Sequence, residues 1–124
     1  MHLHQITPFI LCSTLASQVT FYQDILGFKL GYMADNYAFL KRDDVAVRLV
    51  EVDPDVDLSN PERQSSFYID VHDIDELFLS LQDKLNHLPE GRVREPFNQV
   101  YGQREFHVAD EDCTLIFFGE AISK

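Results

Sequence analysis

The sequence predicts an α+β chain in which two successive β-α-β-β-β modules form a curled mixed sheet around a shared cleft. Three observations lead there. Two helical periodicities, one spanning Leu15 to Leu26 and one spanning Ile74 to Leu85, each follow a short apolar run and precede three more. The two sets recur at an offset of roughly 60 residues with little identity between them, so architecture repeats rather than sequence. Between them lies "DPDVDLSNPERQ", residues 53–64, with two prolines, four acids and little apolar content, which reads as a linker.

The elements follow in order. "QITPFIL", 5–11, is short and apolar and reads as a strand. A helix follows, with Ser13 or Thr14 as its cap and Gly27 as its stop. "FKLGYM" (28–33) and "NYAFLKR" (36–42) read as a strand pair, and "DD" turns the chain into the β-branched run "VAVRLVEV" (45–52). After the linker, "SSFYIDV" (65–71) reads as a strand. The helix over 73–85 has Asp73 and Glu76 spaced as a capping box, with Ile74, Leu77, Phe78, Leu81 and Leu85 on its apolar face. "RVREPFNQVYG" (92–102) reads as a strand or hairpin arm, and "QREFHVA" (103–109) and "CTLIFFG" (113–119) as a final hairpin. The 124 residues suit a single domain, with module 1 at 1–52 and module 2 at 65–124. In each module an apolar helix covers one sheet face and leaves the other free to line a cleft.

Composition narrows the function. A formal net charge of -11 argues against nucleic acid and anionic membranes, which are bound through clustered Lys and Arg. It favours small neutral or cationic ligands. The apolar runs fall short of the roughly 20 residues of a membrane helix, and no secretory pattern opens the chain, so a cytoplasmic protein is expected. Cys12 and Cys113 form no C-x-x-C pair and read as reduced, packed thiols. There is no glycine-rich phosphate loop and no G-x-S-x-G elbow. Cys113 has no base tied to it and stands beside Glu111 and Asp112, which disfavour a thiolate.

Three stretches carry a family resemblance. The first is "TFYQDILGF", with Phe21, Tyr22, Leu26, Gly27 and Phe28. The second is "VHDIDEL", and the third is the closing "YGQREFHVADEDCTLIFFGE". In this order they resemble the vicinal oxygen chelate superfamily of glyoxalases, extradiol dioxygenases and bleomycin-resistance proteins, and the closing stretch is most similar to the bleomycin-resistance branch. The resemblance implies a divalent-metal site in the family's enzymes, with one ligand from each of the first, fourth, fifth and eighth strands. Carried onto this sequence, those positions are Thr7, Arg48, Ser66 and Phe117. A guanidinium and a phenyl ring cannot ligate a cation, so no metal and no other cofactor is expected.

Strand parity then adds Phe9, Phe39, Val50, Tyr68, His107 and Leu115 to the same faces, an aromatic lining suited to planar or cationic organic molecules. Phe67, Ile69, Val71, Phe106, Val108, Ile116 and Phe118 are assigned to the core under the helices. The expected function is non-catalytic, antibiotic-sequestration-like binding of a small molecule by a symmetric homodimer. The alternatives are a metal-dependent lyase or dioxygenase with a non-standard site around His107 and Glu105, or a degenerate regulatory member of the family. His2 and His4 form a possible two-ligand clip with no third partner in the sequence.

Overall fold

The computed structural model describes residues 1–123. Its strands are β1 (Phe9–Cys12), β2 (Lys29–Ala34), β3 (Tyr37–Arg42), β4 (Val45–Glu51), β5 (Ser65–Asp70), β6 (Val93–Asn98), β7 (Gln103–Ala109) and β8 (Thr114–Ala121). Its helices are α1 (Leu15–Thr20), continued by a π-helical turn at Phe21–Ile25, and α2 (Ile74–Leu85); a 3-10 turn at Pro61–Arg63 ends the linker. The strands form two four-stranded mixed sheets, ordered β1-β4-β3-β2 and β5-β8-β7-β6. In each, the outer strand runs parallel to the last strand of its module and the rest are antiparallel. The fold class is the one the repeat predicts.

The first strand is shorter than expected. Thr7 lies outside it, and β1 begins at Phe9. Proline at position 8 has no N–H for a ladder, so pairing reaches no further back than its carbonyl, which accepts from Arg48 N at 3.0 Å.

The helix starts also differ from expectation. Neither Thr14 nor Asp73 makes a side-chain capping bond. Asp73 instead takes a φ of 61°. The caps come from the fourth strand of each module: Glu51 accepts from Leu15 N at 2.8 Å, and Glu120 accepts from Asp73 N at 2.9 Å and Ile74 N at 3.1 Å. Because β1 and β4, and β5 and β8, run side by side, the end of the last strand lies beside the start of the helix. A carboxylate there meets the unpaired amides and the positive end of the helix dipole. The bonds from Asp73 N and Ile74 N hold the Glu120 carboxyl below its ordinary range. At the other end of the first helix Gly27 stands at φ 76°, as the stop requires, and Arg42 donates to Leu26 O at 2.7 Å.

The modules join through their helix-covered faces. Ile10, Tyr22, Leu26, Leu40 and Leu49 of the first share one buried cluster with Ile74, Phe78, Phe106, Ile116 and Phe118 of the second. Phe67, Ile69 and Val71 pack against that cluster from the side. The β7–β8 turn docks on α1. Asp112 accepts from Ser13 Oγ at 2.6 Å and Gln18 Nε2 at 3.2 Å, and Tyr22 Oη donates to Asp110 at 3.1 Å. Asp110 also accepts from the amides of Asp112 and Thr114, which closes the turn without the proline and glycine usual there. Cys12 is buried and Cys113 half-buried, both as free thiols. Burial, then Asp112, Glu51 and Asp110, push Cys12 up to about 12. Burial, then Asp110 and Asp112, raise Cys113, so neither thiol is set up as a nucleophile.

Candidate functional site

The helix-free face of each sheet carries one row of side chains across all four strands. In the first sheet the register aligns Phe9, Arg48, Phe39 and Tyr32. In the second it aligns Tyr68, Phe117, His107 and Arg94. The rows occupy equivalent strands of the two modules, so the architectural repeat extends to the candidate site. Val50 sits one register away, opposite Tyr37, and Ser66 pairs with Leu115 beside the second row.

Arg48 is the centre of the first row. Its Nη1 donates to Tyr37 Oη. Its guanidinium lies 5.0 Å from the centre of the Phe39 ring, where the ring quadrupole attracts it. Phe9 remains 67% exposed at the sheet edge.

The second row is built around a buried carboxylate. Glu105 is 0% exposed and accepts from His107 Nε2 at 2.9 Å, Gln99 Nε2 at 3.2 Å and Tyr101 Oη at 2.6 Å. Burial pushes this carboxyl up, but the bonds from Tyr101, His107 and Gln99 outweigh it and hold the group below its ordinary range. The bond to Glu105, with burial second, raises the Tyr101 hydroxyl to about 12, so it stays a donor. His107, 7% exposed, is wedged between Phe117 at 4.1 Å and Phe97 at 5.3 Å, and Arg94 covers Phe97 at 3.6 Å. Tyr68 stacks on Phe117 at 6.1 Å and its hydroxyl accepts from Gln103 at 2.9 Å.

The ring of Tyr68 lies flat over β8 because residue 119 is glycine. A Cβ there would stand 1.7 Å from Tyr68 Oη. Sequence reasoning identified His107 and Glu105 as neighbours on one face and missed Gln99, Tyr101 and Gly119. The one available signal for Gly119 was a glycine inside an apolar strand, which marks a close approach.

The structure thus brings together Phe9, Arg48, Phe39 and Val50 on one face, and Ser66, Tyr68, His107, Leu115 and Phe117 on the other. Thr7 precedes β1, and its hydroxyl accepts from Gln5 Nε2 at 2.9 Å. No hydrogen bond, ion pair or ring contact among the described residues links the two faces within one chain. Two concavities lie elsewhere. One, of about 640 Å³, opens between the modules near Arg42, Asp73 and Glu76. Another, of about 780 Å³, runs between β2, β3 and α2 and takes in only Phe39 of the expected residues.

The residues that the resemblance places at the family's four metal-ligand positions do not fit a divalent cation. Arg48 is a positive charge, and Phe117, which contacts the Tyr68 and His107 rings, has no donor atom. Among the described residues no three His, Cys, Asp or Glu side chains converge as a cation site.

Paired βαβββ sheets with aromatic helix-free faces define a scaffold class shared by binding proteins and enzymes. The chain belongs to the glyoxalase/bleomycin resistance protein/dioxygenase superfamily, whose model matches residues 2–118. No curated protein matches it. Among solved structures, it is similar to the bleomycin-binding protein of bleomycin-producing Streptomyces verticillus complexed with copper(II)-bleomycin. That pair has 18% identity and a TM-score of 0.78, covering 100% of this chain and 99% of the other. A bleomycin resistance determinant encoded on transposon Tn5 shares 21% identity at TM-score 0.79, over 96% of this chain and 98% of its own. Lactoylglutathione lyase from Agrobacterium tumefaciens shares 15% identity at TM-score 0.68, over 96% and 95% respectively. At these identities the likeness is one of fold, and the fold hosts both binders and an enzyme.

Proposed function

We propose that the protein sequesters a small aromatic molecule without chemistry, as a cytoplasmic homodimer and without metal. The observation that carries this is the pair of replaced ligand positions. Arg48, tied to Tyr37 and stacked on Phe39, and Phe117, packed between Tyr68 and His107, put a positive charge and a ring where a metal-binding relative needs donors. The binding of bleomycin by the Streptomyces verticillus structure supports the class of function. The dimer reading rests on exposure. Phe9, Leu11, Tyr32 and Tyr68 remain accessible on the two helix-free faces, which a second copy covers by laying its module 2 face over module 1. No helix among the described residues is long and apolar enough to cross a membrane.

Metal analysis and a thermal-shift screen on one purified sample test the reading. A ligand of the folded state raises the melting temperature by mass action. The expected result is no stoichiometric metal, stabilisation by planar aromatic compounds, and a dimer by sedimentation at micromolar concentration. Stoichiometric divalent metal held at the two faces overturns it.

One observation favours a second reading, an enzyme using His107 as a base. The buried Glu105 orients the imidazole at 2.9 Å, as a base-orienting carboxylate does. Metal-dependent turnover lost in His107→Ala supports that reading, and unchanged turnover in the variant rejects it.

A further inference from the structure

We propose that Arg48 recognises an oxyanion, a carboxylate or phosphate, carried by the aromatic ligand. The proposal rests on the binding function above and names the charge of its ligand. It departs from the expectation drawn from the net charge of -11, which favours a cation. The charge is not spread evenly. The four strands of module 1 contain one carboxylate, Glu51, and it is spent on the amide of Leu15 on the helix side. Their helix-free face therefore carries Lys29, Lys41 and Arg48 and no acid, although acids outnumber bases 21 to 10 in the chain. A sheet face free of carboxylates offers a bound anion cationic neighbours and no like charge on the strands themselves.

Arg48 is also prepared for the task. It is half-buried and forms no ion pair among the described residues, whereas Arg42, Arg92 and Arg104 each have an acidic partner. One of its five donors is used on Tyr37, and the Phe39 ring, 5.0 Å from the guanidinium carbon, helps hold the side chain in place. The remaining fork matches two oxygens of a carboxylate or phosphate, and adjacent Phe9 and Phe39 offer ring surface to an attached aromatic group. On the other face, the charge of Glu105 is already shared among its donors, so it does not recruit a cation.

The test uses three probes of one shape on the full chain: 1-naphthoate, 1-naphthyl phosphate and 1-naphthylmethylamine, titrated calorimetrically at low and high salt. The anions are expected to bind at least roughly tenfold more tightly than the amine, more weakly as salt screens the charge. The stronger of the two anions tells carboxylate from phosphate. Arg48→Gln is expected to remove that preference, and Arg48→Lys to keep the charge but lose most of the gain from the fork. If the amine binds as tightly as the anions, or if R48Q, folded by circular dichroism, keeps the anion preference, the oxyanion proposal fails while aromatic binding stands. If no probe binds, both fail.

Discussion

Truncating Glu105 to alanine tests whether the second row is an organised site. The carboxylate gathers three donors, and they differ in what they do once it is gone. Gln99 and Tyr101 lie on the β6–β7 connection, where Tyr101 is largely exposed, so both can turn to water. His107 cannot, because Phe97 and Phe117 hold its ring and little of it reaches solvent. One buried donor is thus orphaned, at about 1–3 kcal/mol, and the lost side-chain volume adds to this. We expect a total of about 2–3 kcal/mol, a fall in melting temperature of roughly 6–15 °C for a chain of this size. The chain has no tryptophan, so urea unfolding is followed by far-ultraviolet circular dichroism at one protein concentration.

Glu105→Gln keeps the shape and one acceptor and should recover about half the loss. The pH dependence has a definite sign. The folded Glu105 carboxyl sits below its ordinary 4.5, so its contribution is present above that value and fades as pH falls through the folded one. E105Q should therefore have a flatter acid limb. An E105A variant within about 0.5 kcal/mol of the parent refutes the network as an organising feature.

Three further outcomes are expected. Gly119→Ala drives a methyl into Tyr68, so the ring swings away from Phe117 and Gln103, at about 1–2 kcal/mol and with loss of ligand-induced stabilisation; equal unfolding and equal ligand response contradict the close approach. Tyr22→Phe removes the buried hydroxyl that donates to Asp110 across the modules, and urea denaturation should register about 1–2 kcal/mol of lost stability. Burial raises the Asp110 carboxyl, against the bonds from Asp112 N, Thr114 N and Tyr22, so folding loses stability as pH rises from 3.8 through the folded value. Asp110→Asn abolishes that term. Unfolding measured as pH rises from 3.8 should then show the parent losing ground to the variant.

Most of the fold was legible because its signals are local. Helical spacing, β-branched runs and the polar linker depend on neighbours a few residues apart, and each yielded an element close to where it formed. Strand alternation also placed Arg48 with Phe39, and His107 with Phe117, because parity fixes a face without knowledge of the partner strand. Parity does not extend to Thr7, which precedes β1 and lies outside the ladder.

The two helices show where local reading stops. Capping was sought within one turn, at Thr14 and Asp73. It came instead from Glu51, 36 residues beyond the amide it binds, and from Glu120, 47 residues beyond Asp73. The turn "DEDC" is likewise held at a distance: its Asp112 accepts from Ser13 across 99 residues and helps lock the modules together. Sequence alone determined which residues share a sheet face. Only the tertiary structure decided that Glu51 and Glu120 cap the helices, that Gly119 lets Tyr68 lie flat, and that Tyr101 and Gln99 occupy Glu105. Each of these depends on which strand ends and turns meet in space, and spacing along the chain does not encode that.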